Sequence, residues 1–160
     1  MNPANPNPNR NPNADPTVAG ATHARRKGGI AAQPCPCGSD KAYVHCCGVW
    51  HDGMANQLYA PTAEAVMRSR YSAYSMGLPS YLLATWHGST APGELELQPL
   101  KWLGLEVRHA LEQGDAGVVE FVARFRPGNG GPAERLHELS RFVREGGRWW
   151  YVDGDAPIEE

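Results

Sequence analysis

The chain has 160 residues, a length that fits one ordinary domain with appendages and buries a core without disulfide support. Its formal net charge of −2 leaves no global basic field for nucleic acid or anionic membrane, so any such contact must be local. No uninterrupted apolar run approaches a membrane span, and the N-terminus lacks the apolar core of a secretory signal, which predicts a cytoplasmic protein.

Residues 1–33 are built mainly from Asn, Pro, Ala and Gly and hold almost nothing to bury. Such a stretch cannot offset its ordering entropy and is expected to be a disordered tail. Arg25, Arg26 and Lys27 form a small basic cluster just before the cysteines. It reads first as a solvated flank and second as a contact for phosphates or a partner, with nucleic acid the weakest of the candidates.

All four cysteines follow within thirteen residues, as Cys35-x-Cys37 and Cys46-Cys47 separated by a turn containing Gly38, Ser39 and Asp40. Tyr43 and Val44 are placed to cap this loop. Thiolates are the usual ligands of a structural zinc ion, and two close pairs can supply a tetrahedron. Disulfides and free thiols are the rivals. The redox spacing Cys-x-x-Cys is absent, adjacent cysteines bond to each other only with strain, and structural disulfides are rare in a cytoplasmic protein. Metal ligation by Cys35, Cys37, Cys46 and Cys47 is the stronger reading, with zinc the default and iron also compatible with four soft donors. His45 is expected to flank the site. Four protein ligands leave no open position, so the metal would be structural.

The string Cys35-Pro36-Cys37-Gly38-Ser39, with Tyr43 and His45-Cys46-Cys47-Gly48, resembles the SEC-C motif, known as the zinc-binding tail of the bacterial preprotein translocase ATPase. The resemblance implies the same four ligands and a surface that contacts a secretory chaperone or the ribosome. Residues 34–50 are therefore expected to form a metal-dependent knuckle whose loss leaves the strands folded.

The next segment, 51–156, reads as helices followed by strands. Pro61-Thr62-Ala63-Glu64 looks like a helix start with Thr62 as N-cap, running to about Ser75 with Gly77 beyond its end. Ala63, Val66, Met67 and Tyr74 share one stripe with Arg70 in its middle, while Arg68 and Ser72 point to solvent. A charge at Arg70 needs an internal carboxylate or a bound anion, and the ion pair is the expected solution. A second helix is expected over Pro79 to Trp86, with Trp86 filling core. Four strands follow: Trp102 to Ala110, Val118 to Arg126, Glu134 to Arg144 and Arg148 to Asp153. Turn chemistry bounds them, and in the second Val119, Phe121, Ala123 and Phe125 alternate with Val118, Glu120, Val122 and Arg124. The pattern predicts an α+β domain, a curved antiparallel sheet with helices on one face, and a short tail at 157–160.

That order resembles the nuclear transport factor 2-like cone. The strings from Thr62 to Tyr74, Tyr81 to His87, Leu136-His137-Glu138 and Trp149 to Gly154 are similar to the YchJ-like family of uncharacterised bacterial proteins. Many members of that family carry a second SEC-C motif at the C-terminus, and none stands in these 160 residues, which argues against a function that needs two knuckles. Acid–base chemistry would draw on His109, Glu120, His137, Glu138, Arg141 or Asp153. A pocket would add Arg70, Tyr74 and Trp86. The plainer reading makes His137, Glu138 and Arg141 cross-strand polar pairs. No nucleophile elbow, phosphate loop, dinucleotide fingerprint or His-Glu-x-x-His segment occurs. The sequence thus favours a non-catalytic zinc-binding adaptor with a protein or ribosomal partner in protein export or biogenesis. Its alternative is a small-molecule-binding protein or an isomerase- or dehydratase-like enzyme using the cone pocket.

Overall fold

The computed structural model describes residues 33–157, so the expectations for the Asn/Pro-rich tail, for Arg25, Arg26 and Lys27, and for the last three residues lie outside it. Within that range the chain forms helix α1 (Cys47–Gly53), helix α2 (Ala63–Met76), the short helix α3 (Pro79–Ala84), and strands β1 (Leu100–Gln113), β2 (Ala116–Pro127), β3 (Glu134–Glu145) and β4 (Arg148–Asp155). The strands make one antiparallel meander in the order β1-β2-β3-β4. Each outruns its predicted bounds by a residue or more, except that β3 and β4 begin where expected.

The long helix starts and stops for local reasons. Thr62 Oγ1 accepts the Ala65 N–H at 3.0 Å, Glu64 sits in the first turn, and Gly77 closes the other end with φ of 69°. The Ala63 N–H is taken by Glu112 of β1 at 2.8 Å, which docks the helix start onto the sheet. Val66, Met67 and Tyr71 then pack against Val119, Phe121, Ala123, Phe142 and Trp149 in a single core cluster. The alternation predicted for β2 is present, with Val119, Phe121 and Ala123 inward and Glu120 and Arg124 outward. Val122 belongs to the outward set yet is only 3% exposed, with Glu106 and His137 opposite it on the flanking strands.

Curvature comes from irregularities in the ladders. Register shifts interrupt β1 between Trp102 and Gly104 and again between Val107 and His109, and a third interrupts the β3–β4 ladder, where β4 carries the extra residue Val152 opposite the Arg141–Phe142 step. Bulges of this kind bend a strand and increase its twist, which lets the sheet wrap around α2. The β3–β4 hairpin closes on Gly146 and Gly147, both at positive φ, the conformation a two-residue turn requires.

Several sequence expectations need correction. Ser72 is fully buried rather than solvent-facing, because α2 is covered on two sides, by the sheet and by the cysteine loop. Arg68 is half-buried: its Nη1 donates to the Cys37 carbonyl at 2.9 Å while the head also pairs with Glu64. The second helix ends at Ala84, and Trp86 is half-buried, stacked edge-on against Tyr151 rather than set in the core centre.

Gly117 of β2 lies where α2 touches the sheet: a Cβ there would stand 2.9 Å from Ala63 Cβ and 3.1 Å from the Trp149 ring. Gly117→Val is therefore expected to lower stability by about 1–3 kcal/mol through overpacking. It should appear as a lower denaturation midpoint with an unchanged m-value.

Candidate metal centre and cone cavity

The cysteine loop is held by backbone first. Cys35 N–H donates to Lys41 O at 2.8 Å and Tyr43 N–H to Gln33 O at 2.8 Å, so the segment doubles back on itself. Gly38 and Asp40 both turn it with positive φ, and a 3₁₀ turn over Tyr43–His45 then delivers Cys46 and Cys47 at the head of α1. Helix α1 was not foreseen. It begins with the fourth cysteine and brings Trp50 and His51 onto α2.

The four sulfurs lie within 4.8 Å of one another, and all four cysteines are free. A four-thiolate zinc site with bonds of about 2.3 Å places its sulfurs about 3.8 Å apart, so this spacing fits an ion at the centre. Cys37 Sγ and Cys46 Sγ are 3.6 Å apart, far beyond a disulfide bond. His45 is exposed and not part of the cluster. Cys35, Cys37 and Cys47 are 5%, 0% and 2% exposed, and Cys46 is half-buried with Ser39 Oγ 3.1 Å from its sulfur. Cys35 Sγ stands 3.6 Å from Ser72 Oγ of α2.

The protonation pattern points the same way. The Cys47 thiol, donating to Cys37, is the largest influence holding the Cys37 thiol down at about 4 despite burial. Cys47 is raised in turn, first by that same hydrogen bond and then by burial. Burial also raises Cys46. One thiolate is stabilised while Cys46 and Cys47 resist ionising beside it, which is the condition that a cation relieves. Cys35, Cys37, Cys46 and Cys47 would hold the ion, and its chemistry there would be structural cross-linking of the loop to α1.

The knuckle is not packed apart from the cone. Cys35, Cys37 and Cys47 belong to the same core cluster as Val66, Met67, Tyr71 and Trp149. His51, missed in the sequence, reinforces this union. Its Nε2–H donates to Ser69 O at 2.7 Å, so Nδ1 accepts from Tyr43 Oη at 2.7 Å. Burial holds its pKa below the ordinary value.

Beyond α2 the sheet and the segment 95–100 line a half-open cavity of about 310 Å³. Helix α2 contributes Met67, Arg70, Tyr71 and Tyr74, and the strands contribute Trp102, Phe121, Glu138, Ser140 and Tyr151. Arg70, 5% exposed, has no ion pair among the described residues, contrary to expectation. Its Nη1 donates to Leu82 O at 2.7 Å and Thr85 Oγ1 at 2.8 Å, and the Tyr151 and Trp86 rings lie 4.2 and 4.9 Å from its guanidinium carbon. Burial pushes its pKa down.

Of the pocket candidates, Arg70, Tyr74 and Glu138 line this cavity, and Trp86 stands behind Arg70. His109, Glu120, His137 and Arg141 do not: strand alternation puts them on the opposite face. There His137 pairs with Glu120 at 2.7 Å, and Arg141 with Asp153 and Asp155 at 2.6 and 2.8 Å. Glu138 takes no cross-strand partner and accepts instead from Ser140 Oγ at 2.9 Å. Trp102, Ser140 and Tyr151 were missed as cavity residues. Ser140 carried a usable signal, since it shares the inward parity of Glu138.

A four-cysteine motif built into the core of an α+β cone defines a class, the SEC-C motif joined to a nuclear transport factor 2-like domain. Residues 32–48 match the SEC-C motif, and residues 62–154 match the domain described as "YchJ, middle NTF2-like domain". A UPF0225 protein of Bordetella pertussis is 56% identical over 124 residues, covering 76% of this chain and 91% of its own length. A UPF0225 protein of Methylibium petroleiphilum is 56% identical over 133 residues, covering 80% and 93%. The chain belongs to this YchJ, or UPF0225, family. Among solved structures, a SEC-C motif containing protein from Rhodopseudomonas palustris superposes with a TM-score of 0.70 at 36% identity, covering 79% of this chain and all of that one. Another, from Psychrobacter arcticus, gives 0.66 at 29% identity, covering 82% and 86%. No helix of the described residues is long and apolar enough to cross a membrane.

Because the sulfurs share the core, Cys47→Ser is expected to abolish metal by elemental analysis and to lower the unfolding midpoint of the entire domain, seen by tryptophan fluorescence. Chelation of the wild type should act likewise, by at least about 4 kcal/mol if the site is a thousandfold saturated.

His51 gives a pH test of known sign. A base whose folded pKa lies below its unfolded value contributes stability that is complete above about 6.5 and is lost as pH falls below it, because the unfolded chain then binds more protons. Between pH 7.5 and 5.5 the metal-loaded wild type should lose more urea stability than His51→Gln, and equal losses would contradict this.

Proposed function

We propose that the cone domain binds a small organic molecule in the cavity beneath α2, and that the four-cysteine centre, loaded with zinc, is the brace that keeps α2 in place. The observation that carries this reading is the half-open cavity of about 310 Å³ with a buried Arg70 at its wall that has no ion pair among the described residues. Small-molecule sites begin near this size with a mostly apolar lining and a few polar groups. Met67 and Tyr71 touch the cysteines' cluster and line the cavity, so a firm metal centre preorganises the site.

The SEC-C motif supports a second reading, in which the chain is a cytoplasmic adaptor whose knuckle contacts a protein or ribosomal partner in export or biogenesis. Gly38, Asp40, Lys41 and His45 offer an exposed rim beside the half-buried Cys46. No exposed aromatic anchor accompanies them, and interfaces draw most of their affinity from such anchors. The cavity reading is therefore placed first.

A thermal-shift screen of small metabolites on the metal-loaded chain tests the choice. A true ligand at a hundredfold excess over its Kd stabilises by about 2.7 kcal/mol, and Ala123→Phe, which fills the cavity, should erase the shift. Hits that survive this variant, or an absence of hits beside a partner captured only by metal-loaded protein, would favour the adaptor.

A further inference from the structure

The geometry points to a specific ligand class for this cavity, resting on its reading as a binding site: a small amphoteric acid, with a carboxylate and a nearby cationic nitrogen on an apolar or aromatic body. An α-amino acid of aromatic type has this chemistry.

Arg70 defines one pole. Its Nη1 is spent on Leu82 O and Thr85 Oγ1, two neutral acceptors, and its faces are flanked by Tyr151 and Trp86. Among the described residues no acceptor is bonded to Nε or Nη2, the edge that grips a carboxylate with two parallel hydrogen bonds. A guanidinium only 5% exposed with no direct ion pair is costly, because Glu138 attracts it only from a distance, and a ligand carboxylate would supply the missing contact charge.

Glu138 defines the other pole. It lines the same cavity, accepts one hydrogen bond from Ser140 Oγ at 2.9 Å, and has no cationic partner among the described residues. Its side chain lies directly across Gly154, where a Cβ would collide with the carboxyl group. The two charged groups form no ion pair with each other. A simple anion would meet Glu138, and a simple amine would meet Arg70. Only a molecule carrying both charges satisfies both poles, and Trp102, Phe121 and Tyr71 provide the wall for its body.

The test uses full-length metal-loaded protein and four probes: phenylalanine, its amide, 3-phenylpropionate and indole. Binding is read by calorimetry and by chemical-shift changes at the Trp102 indole. Phenylalanine is expected to bind at least about tenfold tighter than the amide or the phenylpropionate, since a site that bonds both groups rejects analogues lacking one. Glu138→Gln should shrink the preference over phenylpropionate to within about threefold, and Ala123→Phe should abolish binding of every probe. If indole enters the cavity and phenylalanine binds no better than its truncated analogues, the ligand class is wrong while the cavity remains a site. If no probe, indole included, perturbs Trp102, the ligand class and the reading beneath it fall together.

Discussion

Four sulfurs confined within 4.8 Å of one another cannot all carry charge unless a cation lies among them, and here that cluster is inside the core rather than on an appendage. Helix α2 is pressed between it and the sheet. The contacts are specific: Ser72 Oγ against Cys35 Sγ, Arg68 donating to Cys37 O, and His51 joining Tyr43 to Ser69 O. An ion held there would join helix placement and sheet packing into one cooperative unit, and losing it would expose the same apolar surface that Val66, Met67 and Tyr71 bury.

The opposite wall of α2 departs from ordinary core logic. A buried arginine is normally matched by a carboxylate, yet Arg70 relies on a carbonyl, a hydroxyl and two aromatic faces. Cation–π contacts and neutral acceptors offset part of the desolvation and leave the rest unbalanced. Groups retained in a costly state beside open volume are characteristic of sites that meet their partner in a ligand.

Much of this was legible in the sequence, and the exceptions have physical causes. The clustered cysteines announced the four-sulfur cluster, the Thr62 cap and Gly77 bounded α2, and turn chemistry marked the strand ends, because each signal is local. The fate of Ser72 was not local: helical periodicity assigns it to solvent when only one covering face is assumed, and the cysteine loop supplies a second. Parity along a strand places His137 and Glu138 on opposite faces, but which face borders a cavity depends on where α2 lies. His51 gave no signal at all, since its partners Tyr43 and Ser69 are brought together only by the completed fold.

The distribution of polar groups then bears on mechanism. Residues that resemble an acid–base set, His109, Glu120, His137 and Arg141, sit on the outward face, where ion pairs in high dielectric contribute little. The inward face holds far fewer charges, but each acts at short range in a low-dielectric space and cannot be replaced by water without loss. Recognition of a small molecule, as proposed, would thus be concentrated in Arg70, Glu138 and Ser140. On the proposed reading an ion and a ligand would bind the folded chain through opposite sides of α2, each stabilising the state the other requires, so that cavity occupancy and metal content would rise or fall together as folding becomes marginal.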